Sequence, residues 1–457
     1  MSQDSHGHIF YRRLTHDYPT VDYGQGVYLY DTAGRRYLDA AGGALVVTIG
    51  HGVAQVADAM AAQARRVAFA HGTQFTSEAL EAYAAALAEI APLFEPRLYL
   101  VSGGSEAVET ALKLARQVCV ARGQAGRYKI IARWGSYHGA TLGALSASGR
   151  PPLRQAFAPL LLDMPHIPPA YCYRCPFKQT YPACEVACAD ALELEILRQG
   201  PESVAAFIAE PVVGATLGAV APPPEYWPRV REICDRYGVL LIADEVMSGM
   251  GRSGRWFAME HWGVRPDILV TAKGASSGYI PLGLVLARGE LVETVRKGPG
   301  HAFTHGFTYA NGVMGAAVGL AVLRYVQAHD LVGASARMGA YLLEKLAALR
   351  ELSCVGDVRG LGLMAGVELV ADKESKRPFS NPVAGQVQAA AMARGLIVYT
   401  CSGLADGVKG DAILLGPPFI VTEAQIDEIV ALLRESIAAV AEGNSMGEFK
   451  DPPVKRR

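Results

Sequence analysis

Two stretches place groups capable of covalent chemistry at equivalent points along the chain. In VLLIADEVMSGMGRSG (239–254) an apolar run from Val239 to Ala243 ends in Asp244, and turn-forming Gly and Ser follow. In DILVTAKGASSGYIPLG (267–283) the run Ile268-Leu269-Val270-Thr271 is followed at its exit by Lys273. Each run reads as a strand buried on both faces, as in a parallel sheet. In open α/β sheets the carboxyl ends of the strands are where ligands bind. A carboxylate and an amine are therefore expected at one edge of one sheet. The amine can form a Schiff base with an aldehyde cofactor, and the carboxylate can hold a protonated pyridine nitrogen. That pairing is a protein's share of pyridoxal phosphate (PLP) chemistry. A free lysine titrates near ~10.4, so the site must supply the conditions under which Lys273 acts as nucleophile and base. The plain alternatives are a surface lysine after a strand and an aspartate capping a strand exit.

Other motifs surround this pair. SGGSEAVETALKLAR (102–116) is a Gly-rich turn feeding a helix. The first amides of a helix are unpaired and carry partial positive charge, which suits a phosphate. Gly103 and Gly104 let backbone approach closely, and Ser105 offers an amide and a hydroxyl; alone, such a turn is an ordinary helix cap. SYHGAT (136–141) follows the strand-like YKIIAR, and Glu210 sits at the exit of AAFIAEP. Val246, two residues past Asp244, is expected on the same side of an extended chain.

In their joint order, DEVMSGMGRSG, TAKGASSGYIPLG, SGGSEAVETALKLAR, SYHGAT, IAEPV, HGFTYANG and LGPPFIVTEAQID resemble the class III (omega-type) aminotransferases, PLP enzymes of fold type I. The resemblance runs from about residue 20 to 435. It implies Lys273 as Schiff-base lysine and proton shuttle, Asp244 as partner of the ring nitrogen, and Tyr137 stacked on the ring. It also implies Val246 against a ring face, His138 as a hydrogen-bond donor behind Tyr137, and Glu210 near substrate and cofactor oxygen, where a structural ion pair is the alternative. Gly104 and Ser105 would hold the phosphate, and Thr308 of HGFTYANG would reach the phosphate of a neighbouring subunit in a homodimer or a dimer of dimers. The implied reaction is transamination from an amine or an omega- or beta-amino acid to a keto acid. An aminomutase, an epimerase or a decarboxylating enzyme on the same scaffold is the alternative.

Two departures bear on the acceptor. Met247 stands where the ornithine and 4-aminobutyrate branches carry a polar Gln, and residues 396–420 contain no arginine. Many relatives hold the acceptor carboxylate with an arginine near there; Lys409 is the only nearby cation, and no residue is assigned. Pyruvate is accordingly preferred to 2-oxoglutarate. The cysteines Cys172, Cys175, Cys184 and Cys188 have C-x2-C and C-x3-C spacing compatible with a zinc knuckle. The expectation is nevertheless four reduced thiols and no stoichiometric metal, because PLP supplies the chemistry.

The elements that must position these residues can be read from periodicity. Residues 20–50 read as a small meander with a DTAG turn. Val53, Val56, Met60, Ala64 and Val67 define the buried stripe of a helix over 53–67, and Ser77 caps a second helix over 77–91 that Pro92 stops. From 97 to about 325 strand-like and helical segments alternate, the signature of a mostly parallel sheet flanked by helices. Beyond it, helices at 310–350, strands (GLMAGVELV, LIVY, AILLG) and a last helix suit a smaller α+β domain. The expected α/β division is 1–65 as the N-terminal segment of the small domain, 66–325 as the large PLP-binding domain, and 326–457 as the rest of the small domain. Of 457 residues 51% are hydrophobic and 19% charged, with a formal net charge of −1. That balance fits a compact enzyme and argues against a nucleic-acid binder. The polar start and the lack of a spanning apolar segment lead to an expected cytoplasmic location without membrane partners. Residues 443–457 read as a mobile charged tail.

Overall fold

The computed structural model describes residues 8–445. The start and end of the chain, including most of the expected charged tail, lie outside the described residues. That tail was expected from Gly443, but the last helix, Glu423–Ser445, runs on through that point.

A seven-stranded sheet organises the molecule. Its order is Arg97–Val101, Gly283–Ala287, Ile268–Thr271, Leu240–Asp244, Val204–Ala209, Lys129–Arg133 and His166–Ile167. Six strands run the same way, and Gly283–Ala287 is antiparallel to both neighbours. Its inversion follows from its connection. Only residues 272–282 separate it from the preceding strand, too short for the crossover of a dozen or more residues that a parallel partner needs.

Both faces of the sheet are covered. Ile130, Ala206, Ile208, Ile242 and Val270 join the cluster beneath the helix Gly104–Ala121. The alternate residues Ile131, Phe207, Ala209, Leu241 and Ala243 pack with Trp227, Val230 and Ile233 of the helix Tyr226–Tyr237. Period-two side chains buried on two sides explain why these strands are unbroken apolar runs rather than alternating ones. Truncating one of them, for example Leu241→Ala, would cost about 2–5 kcal/mol.

The meander is present as Val21–Gln25, Tyr28–Asp31 and Arg36–Asp39, with Asp31 accepting the amides of Ala33 and Arg35 in the DTAG turn. Its fourth strand is Leu396–Ile397, which pairs parallel with Arg36–Asp39. The C-terminal region adds a four-stranded sheet of Val355–Gly360, Ala365–Leu369, Asp411–Leu415 and Tyr399–Ser402. Ser77 caps the helix Glu78–Ile90 by accepting the Leu80 amide. The helix Ala54–Arg66 departs from expectation: of its predicted stripe only Val56 is buried, while Ala64 and Val67 are exposed. Helical spacing shows which residues share a face but not whether this chain covers that face.

Candidate active site

Because most strands share one direction, their carboxyl ends bring distant motifs to one edge. Gly103 follows Arg97–Val101, Tyr137 follows Lys129–Arg133, and Glu210 follows Val204–Ala209. Asp244 ends its strand and Lys273 follows the next. These residues line a cavity of about 460 Å³, together with Gly104, Ser105, His138, Gly139, Val246, Met247, Ser276 and Leu282.

The backbone at Lys273 has φ 42°, in the left-handed region. For a residue with a Cβ that conformation costs on the order of 1–2 kcal/mol, and such strain concentrates at functional sites. The turn directs the Nζ atom to the carbonyl of Ala44, 2.9 Å away, in the N-terminal segment. Burial pushes the Lys273 ammonium down to about 8, against the opposing pull of Asp244 and Glu210.

Asp244 is 3% exposed and its carboxylate is held on both oxygens. Oδ2 accepts from His138 Nδ1 at 2.6 Å, and Oδ1 accepts the Val246 amide at 3.0 Å. The chain turns immediately after Asp244, so the expected extended geometry does not place Val246. It reaches the cavity wall through this turn instead, where it packs against Gly104: a Cβ on Gly104 would meet Val246 Cγ1 at 3.0 Å. His138 is fixed from behind, its amide donating to Ser148 Oγ at 2.8 Å, while its Nε2 is buried without a partner.

Gly104–Ala121 begins at the cavity with Gly103 as its cap residue and no side chain satisfying its first amides. The Ser105 hydroxyl accepts the Ala140 amide at 3.0 Å, locking the Gly-rich turn onto the SYHGAT loop. Gly139 allows that approach. Its φ is 137°, and a Cβ there would lie 2.6 Å from Ser105 Oγ. Glu210 is buried, with Oε1 accepting the Tyr137 amide at 3.3 Å. The buried Arg133 donates to the Glu210 main-chain carbonyl and lies 4.0 Å from Oε2. Burial pushes the Glu210 carboxyl up to about 7.

These features fit a phosphorylated pyridine aldehyde. Unpaired helix amides suit the phosphate, an ionised aspartate suits a protonated ring nitrogen, and a lysine of lowered pKa suits the aldehyde. Thr308 is exposed and lies outside the cavity of its own chain, as does Lys409. Motif reading missed the contributions of Ala44, Val46 and Arg252. Arg252 is 1% exposed and donates to the carbonyls of Val47, Leu363 and Pro417, tying three segments together behind Lys273. It stood in the quoted MGRSG, yet nothing in the motif signals a buried guanidinium.

Cys172, Cys175, Cys184 and Cys188 line a separate cavity of about 20 Å³, all as free thiols. Burial pushes the Cys188 thiol up to about 12. Among the described residues no group of three or more His, Cys, Asp or Glu is arranged to hold a metal. The loop is anchored by Tyr171 and Arg174, which both bond the buried Glu368.

Comparison with known proteins agrees with this geometry. A family model described as aminotransferase class-III matches residues 11–437. Putrescine–pyruvate aminotransferase of Pseudomonas aeruginosa is 34% identical over 419 residues, 91% of this chain and 90% of its own length. Diaminobutyrate–2-oxoglutarate transaminase of Halomonas elongata is also 34% identical, over 92% of this chain and 90% of its own. A thermostable (S)-enantioselective omega-transaminase from Thermomicrobium roseum superimposes with a TM-score of 0.88 at 38% identity, covering 95% of this chain and 96% of that one. With the match spanning every strand that ends at the cavity, the chain belongs to the class III aminotransferases, with the type I fold of PLP-dependent transaminases.

Proposed function

We propose that this enzyme moves an amino group from an amine or an omega- or beta-amino acid to a keto acid, with pyruvate as the acceptor. The observation that carries the reading is the strained Lys273, with its lowered pKa, sharing one cavity with the His138–Asp244 pair. Family membership implies PLP dependence. Bound here, PLP supplies the electron sink for a carbanion at the substrate Cα. Asp244 would keep the ring nitrogen protonated, and His138 orients Asp244. Tyr137 and Val246 would pack against the ring. Gly104, Ser105 and the helix amides would hold the phosphate, completed by Thr308 from the partner subunit of a homodimer. Lys273 takes the Cα proton and returns it. Glu210, protonated or not near neutrality, sits where it can bond the cofactor oxygen.

Pyruvate is preferred because residues 396–420 lack an arginine. We assign residues 1–65 and 326–457 to the small domain and 66–325 to the large one, supported by the pairing of Leu396–Ile397 with Arg36–Asp39. Among the described residues no helix is long and apolar enough to cross a membrane, and the enzyme is proposed to work in the cytoplasm.

Screening amines against the holoenzyme, and following loss of the bound-cofactor absorbance, tests the donor half. Recovery of that absorbance with pyruvate, more readily than with 2-oxoglutarate, is the expected second half. Donor turnover without any keto acid would instead establish an aminomutase, epimerase or decarboxylase.

A further inference from the structure

A keto acid needs a cation for its carboxylate, and among the described residues lining the cavity Lys273 is the only one. Lys273 is committed to the cofactor and the proton, which leaves the carboxylate without a cation from the cavity lining of this chain. Arg150 is a candidate from outside that lining. The Gly149 amide donates to the Ser136 carbonyl at 3.1 Å, and the Gly149 carbonyl accepts the Gly135 amide at 2.9 Å. This pairing lays Arg150 alongside the residues that lead into Tyr137. Its guanidinium then crosses to the C-terminal region, where NH2 donates to Ser402 Oγ at 2.6 Å.

That region adjoins the cavity. Tyr399 and Cys401 pack in one apolar cluster with Met247, a cavity-lining residue. Burial raises the Tyr399 phenol, Arg150 and Arg12 pull it back, and Tyr137 acts on it too, so these groups share one neighbourhood. The loop after Ser402 also rests on Pro151, since a Cβ on Gly407 would meet Pro151 Cγ at 3.0 Å.

Arg150 is poorly satisfied where it sits. Its Nε is buried without a partner, and among the described residues no carboxylate lies within ion-pair distance of it. Other enclosed arginines are better satisfied: Arg133, Arg174, Arg359 and Arg231 reach carboxylates, and Arg252, which reaches none among the described residues, donates to three main-chain carbonyls. A neutral hydroxyl is a weak partner for a guanidinium, and a carboxylate taking two parallel N–H bonds is a strong one.

We propose that Arg150 is the specificity residue for carboxylate-bearing substrates, exchanging the Ser402 hydroxyl for the carboxylate of the keto-acid acceptor. The inference rests on the transamination reading and supplies the cation missing from residues 396–420. Arg150 reaches the site from a different part of the chain, beside Tyr137.

The test compares an acceptor with a carboxylate, pyruvate, to one without, butanal, using holoenzyme first aminated with butylamine. Arg150→Gln is expected to lower the ratio of kcat/KM for pyruvate to that for butanal roughly ten- to a hundredfold, chiefly through KM. That is the scale of a lost charged hydrogen bond. Arg150→Lys, which keeps the charge but not the fork, should fall between. A role confined to holding the loops together would depress both acceptors alike. A ratio within twofold of the unsubstituted enzyme in both variants therefore overturns the proposal. If the unsubstituted holoenzyme is not aminated by any amine, the transamination reading fails first, and that failure is distinct from an unchanged ratio.

Discussion

His138 Nδ1 lies 2.6 Å from Asp244 Oδ2, with both side chains 3% exposed or less. The bond between the imidazole and the carboxylate fixes the orientation of Asp244. In the proposed reaction this pair positions one carboxylate for the ring nitrogen. Asp244→Asn should retain bound cofactor yet lose about a hundredfold or more in turnover, because a neutral amide does not stabilise a protonated nitrogen. Steady-state rates beside cofactor absorbance check this, and near-normal turnover would remove Asp244 from its role.

Lys273→Ala should bind cofactor non-covalently and show no measurable transamination. The unsubstituted apoenzyme offers a second readout. With the Lys273 ammonium lowered to about 8, the neutral, nucleophilic amine is the minor form below that pH and the major form above it. The rate of covalent loading with added PLP should therefore climb about tenfold per pH unit up to the region of 8 and then level off. A rate still climbing at the same slope above pH 9 would show an unperturbed lysine.

Thr308 is exposed on its own chain and is proposed to complete a partner's phosphate site. Lys273→Ala subunits mixed with Thr308→Glu subunits, each inactive alone, should recover about a quarter of full activity at equal mixing. Half of the dimers are then mixed, and each has one of its two sites intact. No recovery, once mixed dimers are shown by mass spectrometry, would mean that each site is built within one chain.

The cysteine loop should purify without stoichiometric zinc. The proposed reaction needs no metal, because PLP supplies its chemistry. Elemental analysis finding one zinc per chain, lost together with loop order in Cys175→Ser, would reverse this expectation.

Much of the molecule was legible in its residues. The apolar runs ending at Asp244 and Lys273, the Ser77 cap and the DTAG turn follow from local rules of burial, capping and turn geometry. Each involves residues only a few positions apart, so neighbouring side chains and backbone dictate the outcome. What depended on chain segments meeting was not legible. Local pattern did not reveal the reversal of Gly283–Ala287, which connection length and sheet pairing decide. The fully buried Arg252 reads like any surface arginine until Val47, Leu363 and Pro417 surround it. Gly139 looks like one more loop glycine until Ser105 from the preceding helix closes on it. Nor does the spacing of Ala64 and Val67 tell that this chain leaves them exposed. Arg150 and Ser402 are separated by 252 positions, and only the fold, by setting the turn before Tyr137 against the C-terminal sheet, brings that guanidinium to the Ser402 hydroxyl.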